Sequence, residues 1–292
     1  AQLYNAFDVF YLASRREGFC TIPESLVLTV SGVKPIKEVR EGERVLTHIG
    51  RFKRVTKVYT RHYRGQLVGV RPWYIQEPIW LTPEHPVLTL EGWKPAGALT
   101  TEDYVFVPFI REGCPTLNLR GLLQATERDG YLYPIHRNQF GAEFPRASDH
   151  RLPVSIEVSD EFLELLGYYI AEGCSNRTGL FLCFSSLEKG LISRSQELLR
   201  NVFHVNPSYL EFSRHRSVTR AYHSLLAQLF GMLAGKTSHE KNFPCCFLGL
   251  RNSNVLLQAL LAGDGWVSGE KCAYTTVSRP LSVNFQMLLF QH

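Results

Sequence analysis

The amino-acid sequence predicts a multidomain protein: an all-β domain followed by an α+β domain with an internal pseudo-twofold repeat. Three observations predict it. Between residues 20 and 112, short runs such as Leu26-Val27-Leu28-Thr29, Gln66-Leu67-Val68-Gly69-Val70 and Tyr104-Val105-Phe106-Val107 are separated by Gly32, Gly42, Gly50, Gly65 and Pro72, the pattern of an all-β domain. After Pro153 the apolar residues recur at helical spacing. Finally, two helical runs, Leu165-Leu166-Gly167-Tyr168-Tyr169-Ile170-Ala171-Glu172-Gly173 and Leu257-Gln258-Ala259-Leu260-Leu261-Ala262-Gly263-Asp264-Gly265, share a template that ends in an acid and a glycine.

Taken in order, residues 1–19 read as a short amphipathic helix, an apolar strand and a polar loop at Glu17-Gly18. Residues 20–112 hold the strands above and Arg54-Val55-Thr56-Lys57-Val58-Tyr59. Residues 113–153 mix polar and aromatic residues without a clear period, which reads as a linker with some local structure, a candidate DNA-touching arm. Residues 154–292 form the α+β part. Ser159 is placed to cap a helix, with Asp160 and Glu161 in its first turn. Phe162, Leu163, Leu166, Tyr169 and Ile170 make its apolar stripe, and Gly173 stops it. A strand is expected at Leu180 to Phe184, helices at 187–203 and 221–234, and the second motif helix from Ser253 or Asn254 to Gly265.

Composition narrows the class. With 45% hydrophobic and 20% charged residues, the chain is an ordinary globular sequence. No apolar run reaches the ~18 residues that span a bilayer, and the first residues lack the plan of a secretory signal. Seven cysteines without a CxxC pair argue against a disulfide scaffold and a structural zinc site. The expected setting is a reducing cytoplasm, with no membrane partner and a monomeric chain. Net charge is +5, but from Arg151 onward 13 basic residues face 11 acidic ones, so the basic bias is local. Arg194, Arg200, Arg214, Arg216 and Arg220 fall close together in sequence and are the candidates for phosphate contact with DNA.

The paired acid-ended helices resemble the twin motifs of LAGLIDADG homing endonucleases. That resemblance implies that the helices pack side by side and bring Glu172 and Asp264, 92 residues apart, to one Mg²⁺-containing centre that cuts double-stranded DNA. Gly167, Ala171, Ala259, Ala262 and Gly263 are small enough for the backbones to touch. Lys241, within Gly235-Lys236 … His239-Glu240-Lys241 … Pro244, is the candidate catalytic or phosphate-binding lysine. Tyr274-Thr275-Thr276-Val277-Ser278 is similar to the family's strand after the second motif. Glu172 stands where Asp is more usual.

Residues 20–112 resemble the N-terminal half of the Hint fold of inteins. The matching pieces are Cys20, Ser25-Leu26-Val27-Leu28-Thr29, Gly32-Val33-Lys34-Pro35-Ile36, Thr82-Pro83-Glu84-His85-Pro86-Val87-Leu88 and Gly92-Trp93. Pro23-Glu24-Ser25 departs from the usual Gly-Asp-Thr. The resemblance implies an N–S acyl shift: Cys20 attacks the carbonyl of Phe19, Thr82 orients the bond and His85 protonates the departing nitrogen. Residues 1–19 resemble a stretch of retaining GT-B glycosyltransferases, which makes them the end of a host N-extein held in cis. Inteins end in His-Asn before a Cys, Ser or Thr, whereas this chain ends Phe290-Gln291-His292. Splicing by this polypeptide alone is therefore not expected, and the second endonuclease repeat reads as truncated. Two other readings remain open: a LAGLIDADG-type DNA-binding module that does not cleave, and a glycosyltransferase fragment interrupted by an inactive intein.

Overall fold

The computed structural model describes residues 20–292 except 74, 76, 138–142, 146–149 and 270. The segment read as an extein remnant, residues 1–19, lies outside the described residues, as does Phe19. Contacts divide the chain into two compact units, one ending at Glu112 and one beginning at Gly113.

The first unit is built of short antiparallel strands: β1 (Leu26–Thr29), β2 (Gly32–Pro35), β3 (Arg44–Leu46), β4 (Phe52–Arg54), β5 (Val68–Val70), β6 (Ile79–Leu81), β7 (Pro86–Thr89) and β8 (Gly92–Pro95). One sheet runs β2-β1-β3-β4, and β5-β6 and β7-β8 are two-stranded. The strand expected over residues 54–59 ends at Arg54, and that expected over 104–107 is reduced to one bridge, Thr89 to Val105. Leu81, Val87, Ala96 and Val105 form a core, with Val68, Val70, Ile79 and Leu99 against it.

This unit is a duplication. Pro23-Glu24, Val27-Leu28-Thr29, Gly32, Lys34-Pro35 and Val45 recur 60 residues later as Pro83-Glu84, Val87-Leu88-Thr89, Gly92, Lys94-Pro95 and Val105. The structure repeats with them. The Thr29 hydroxyl donates to the Gly32 carbonyl at 2.7 Å and Thr89 to Gly92 at 2.8 Å. Lys34 pairs with Glu43 at 2.7 Å and Lys94 with Asp103 at 2.8 Å. Gly32 and Gly92 both have positive φ, 137° and 105°, which is why neither turn accepts a side chain cheaply. Thr21 pairs with its own equivalent, Leu81. A contact between equivalent positions maps onto itself, the signature of a local twofold axis.

The second unit opens with β9 (Thr116–Asn118), β10 (Ala125–Arg128), β11 (Tyr131–Arg137), β12 (Glu143–Pro145), β13 (Leu152–Pro153) and β14 (Ser155–Glu157). β11 pairs with β10, β12 and β13, and β14 pairs with β9. Within the stretch read as a linker with some local structure, the described residues form β9 to β13. Its strands are only two to seven residues long, and two of the pairings, β13 on β11 and β14 on β9, join segments distant in sequence.

Next come α1 (Asp160–Glu172), β15 (Gly173–Ser175), β16 (Leu180–Phe184), α2 (Lys189–Phe203), β17 (Ser208–Ser213), β18 (Arg216–Ala221), α3 (Ser224–Ala234), α4 (Ser253–Asp264), β19 (Gly265–Ser268), β20 (Lys271–Tyr274) and α5 (Arg279–Gln291). Ser159 caps α1, its hydroxyl accepting from the Phe162 N–H at 3.2 Å. The four-stranded sheet runs β15-β16-β18-β17. Leu180, Leu182 and Phe184 alternate onto its helix-covered face, where α1, α2 and α3 pack.

A second interval, 92 residues, organises this unit. Helix, hairpin and helix occur as α1, β15-β16, α2 and again as α4, β19-β20, α5. Gly173 pairs with Leu182 and Gly265 with Tyr274, so the hairpins have the same register. The helix-ending glycines donate to equivalent carbonyls, Tyr169 and Leu261. Among the described residues no helix is long and apolar enough to cross a membrane.

Candidate active sites

In the first unit, the backbone brings Cys20 to the Thr82–His85 turn. The Thr82 N–H donates to the Cys20 carbonyl at 3.0 Å. In return the Cys20 N–H donates to the Thr82 hydroxyl at 3.3 Å. The turn is closed by the His85 N–H donating to the Thr82 carbonyl at 3.0 Å. Both turn side chains are buried, Thr82 at 0% and His85 at 1% exposure. Burial drives the His85 pKa down to about 4, opposed by a hydrogen bond to the Cys20 backbone and by Glu84. The imidazole is consequently neutral at pH 7. It is therefore a weaker base than a free imidazole, and must receive a proton before it can donate one.

Two further features at this site escaped the sequence. The Arg61 Nε–H donates to Cys20 Sγ at 3.1 Å, placing a guanidinium on the sulfur. Arg61 lies in a segment without regular structure, so no spacing pointed to it. The duplication explains the other. His85 occupies the position of Ser25 and Thr82 that of Ile22, so the copy facing Cys20 carries the polar pair.

In the second unit, α1 and α4 touch through small residues. A Cβ added to Gly167 would collide with Ala259 Cβ and press on the Leu256 carbonyl and Leu260 nitrogen, each at 3.3 Å. A Cβ on Gly263 would collide with Ala171 Cβ. Gly167 and Ala259 are equivalent positions of the repeat, as are Ala171 and Gly263, so a local twofold axis runs between the two helices. Glu172 and Asp264 follow this contact directly. The Glu172 Cγ lies 3.6 Å from the position a Cβ on Gly263 would take, so its side chain passes over the neighbouring helix end.

Both acids have their pKa raised, and Glu172 in part by Asp264. Burial, then Asp264, then Glu188 raise the Glu172 pKa to about 7. Burial raises that of Asp264, with Lys241 opposing. Tyr274, from the second hairpin, has its phenol pushed up by burial and by both acids; sequence reading had it only as part of a strand. A cavity of about 220 Å³ opens beside Asp264, lined also by Lys241, Ser238, Tyr274 and Thr276. Glu172 is partly buried and Asp264 exposed; two carboxylates at neighbouring helix ends offer oxygen donors of the kind that suits a hard divalent cation such as Mg²⁺. Among the described residues no group of three or more His, Cys, Asp or Glu converges.

Lys241, the candidate catalytic or phosphate-binding lysine, lines this cavity from within the unit. It is 3% exposed, and its ammonium donates to the Tyr169 and Gly173 carbonyls, both at 2.7 Å. It also lies 3.8 Å from the Tyr169 ring centroid. Burial lowers its pKa to about 7 against the pull of Cys174, Asp264 and Glu240. It clamps the junction of α1 and β15 that aims Glu172.

The five arginines split between two faces. On the open face of the sheet, Arg220 lies opposite Phe181, and Arg216 is four residues away along β18, on the same face. Both guanidinium groups cover Phe212, at 5.1 and 5.7 Å from its ring centroid. Arg214 is in the exposed turn beside them. Arg194 and Arg200 are on α2, behind the sheet. Arg194 is held by Glu164 of α1 at 2.8 Å and by Glu197 at 2.8 Å. Sequence proximity joined the two groups because it could not see which side of the sheet each element takes.

No protein-family model matches the chain. It is 30% identical, over 88% of its length, to an uncharacterized protein of Methanocaldococcus jannaschii. It is 26% identical over 92% to the ATP-dependent DNA helicase Hel308 of Thermococcus kodakarensis. It is 25% identical over 86% to an iron-sulfur cluster assembly SufBD family protein of Mycobacterium tuberculosis. The chain spans 35%, 27% and 29% of the lengths of these proteins, respectively. One segment is thus shared by proteins whose names describe different activities.

Proposed function

We propose that the chain is a segment of an intein: a self-processing element centred on Cys20, carrying a homing endonuclease that cuts double-stranded DNA with Glu172 and Asp264. The observation that carries the reading is the pairing of equivalent residues, Gly167 on Ala259 and Ala171 on Gly263, which sets two acids side by side at one end of a twofold helix pair. An element inserted into unrelated hosts also accounts for a helicase and a SufBD family protein sharing it.

A nucleotide-dependent reading taken from the helicase is less well supported. The GK[ST] tripeptide of the chain, Gly235-Lys236-Thr237, follows helix α3, whereas a phosphate-binding loop joins a strand to the helix it opens.

In the first unit the reaction is an acyl transfer. Sγ of Cys20 forms a bond to the Phe19 carbonyl carbon, the Phe19–Cys20 C–N bond breaks, and the thiol proton ends on the Cys20 nitrogen. Neutral His85 can carry that proton. Thr82 fixes the Cys20 backbone from both sides, through its hydroxyl and its own N–H. In the second unit, Glu172 and Asp264 would hold the divalent cation, which when bound supplies charge relief for phosphodiester hydrolysis. Arg214, Arg216 and Arg220 are placed to meet phosphates, and Phe212 offers a base-stacking or apolar contact between them. Arg194 and Arg200 are not part of that face.

A protein that contains this chain should cut a long DNA site in Mg²⁺ and bind it without cutting in Ca²⁺. Asp264→Asn should lose cutting by at least about a hundredfold while keeping DNA affinity within about threefold, as expected for a group that acts on charge rather than on binding. Cutting in EDTA, or undiminished cutting by the variant, refutes the nuclease reading.

A further inference from the structure

We propose that Cys114 and Cys246 are a disulfide-forming pair, a modification site that staples the first residues of the second unit to the segment between its two repeats. The inference concerns the frame of that unit and is independent of the nuclease reading.

Backbone contacts bring the two residues together. The Cys114 N–H donates to the Cys246 carbonyl at 3.3 Å. One residue earlier, Gly113 runs so close that a Cβ on it would stand 2.8 Å from the Gly249 carbonyl oxygen. A backbone hydrogen bond of this kind sets two Cα atoms about 5–6 Å apart, inside the ~4.4–6.8 Å that a disulfide spans. The thiols complete the geometry, being in hydrogen-bond contact with each other. Cys245 and Cys246 are adjacent in a short 3-10 helix, Cys245–Gly249, and face different ways. Cys245 turns towards α5, its sulfur accepting from the Asn284 side-chain N–H at 3.6 Å, while Cys246 faces Cys114. Cys246 is 3% exposed and Cys114 is partly exposed, so Cys114 is the sulfur that a small oxidant can reach. Next in the turn, Phe247 packs edge-on against Phe162 of α1, with ring centroids 6.3 Å apart. The Val158 N–H, just before α1, donates to the Pro115 carbonyl at 2.8 Å. The pair therefore sits where the opening strand, this turn and the start of α1 meet. Glu172 is at the other end of that helix, about 20 Å along at 1.5 Å per residue.

A small-molecule disulfide, such as oxidised glutathione, is the oxidant. The Cys114 sulfur attacks one of its sulfurs and releases one external thiol. The Cys246 sulfur then attacks the mixed disulfide and releases the second. Two protein thiols are oxidised, one external disulfide is reduced to two thiols, and the two protons pass to those thiols. Excess external thiol reverses the reaction, so a reducing setting keeps both residues as thiols. The crosslink joins residues 132 apart, and a closure of that length takes much conformational freedom from the unfolded chain.

The test equilibrates the reduced 292-residue chain with a series of oxidised and reduced glutathione mixtures, and identifies linked peptides by non-reducing mass spectrometry. The peptide that holds Cys114 should be joined to the one that holds Cys245 and Cys246, two hydrogens lighter than their sum. Cys114→Ser and Cys246→Ala should each lose this product, and Cys245→Ala should keep it. The equilibrium should favour the crosslink at least about tenfold more in the folded chain than in concentrated urea, where the pair is no longer held together. Oxidation should raise the urea midpoint of the wild type by about 1–2 M. It should leave that of Cys114→Ser unmoved; this position is partly exposed, and the change removes one sulfur without opening a core cavity. A product that joins Cys114 to Cys245, a yield no greater folded than unfolded, or a midpoint that rises equally in Cys114→Ser overturns the proposal.

Discussion

Glu172→Gln tests the acid pair without any need for substrate. In the folded chain the Glu172 pKa is raised from 4.5 to about 7 by burial and by Asp264. A carboxyl raised in this way binds its proton more tightly folded than unfolded. Its favourable contribution is therefore complete below pH 4.5 and is lost as pH rises through 7. A shift of about 2.5 units corresponds to about 3.4 kcal/mol at 1.36 kcal/mol per unit. The carboxyl is only half-buried and solvent screens it, which brings the expectation to about 2 kcal/mol. Glutamine keeps the shape and removes the charge. Urea unfolding should make the variant about as stable as wild type at pH 4.5 and about 2 kcal/mol more stable at pH 8. Taking the difference between the two proteins at each pH cancels the titration of His85, His223 and Lys241, which both share. Adding 10 mM Mg²⁺ at pH 8 should raise the wild-type midpoint and leave the variant's unchanged, since a cation held by the pair acts by the same relief of charge. A stability difference independent of pH would refute the coupling of Glu172 to its buried, acidic surroundings.

Gly167→Ala should destabilise the second unit by about 1–3 kcal/mol in chemical denaturation, because the new methyl lands on Ala259. Helix propensity alone gives the opposite sign, a gain of about 1 kcal/mol, so a stabilised variant would refute the close approach of α1 and α4. His223 caps α3 by accepting the Leu226 N–H on Nδ1 at 3.2 Å, and burial followed by His150 lowers its pKa to about 4. A histidine held neutral stabilises fully above pH 6.5 and loses that contribution as pH falls towards 4, up to about 3 kcal/mol. His223→Asn keeps a capping oxygen and should flatten the stability profile between pH 6.5 and 4.5; an unchanged slope would show that the imidazole does not titrate against the fold.

The helices of the second unit were legible because each carries its own signals within a few residues. Ser159 with Asp160 and Glu161 opens α1, Gly173 ends it, and the α4 run ends on Gly265 in the same way. The duplication in the first unit was equally present in the sequence, from Pro23-Glu24 to Val45, but strands of three or four residues give a weak periodicity, and comparing the chain with itself at fixed offset was what would have found it. Over residues 116–157 the hairpin of β10 and β11 around Asp129-Gly130 carries a local turn signal that was passed over, whereas the pairings of β14 with β9 and of β13 with β11 were not legible because they join distant segments. Arg61 was hidden for the same reason, its partner Cys20 lying 41 residues away across a loop. The arginines show the opposite failure, a cluster in sequence that the sheet divides. Lys241 could be picked out, but its burial against the Tyr169 and Gly173 carbonyls depends on packing that no local pattern records.

Each crossing of α1 with α4 joins one glycine to one alanine, so each holds a single methyl group. The twofold relation makes it immaterial to the local space which helix supplies it. Exchanging both residues at a crossing, Gly167→Ala with Ala259→Gly, leaves the methyl count at one, while either change alone gives two methyls or none. The constraint therefore belongs to the crossing rather than to either residue. The two halves can drift apart in sequence elsewhere, as β16 and β20 have, yet at these points they can change only together. A half taken from another chain would fit only if it brought the complementary member of each pair.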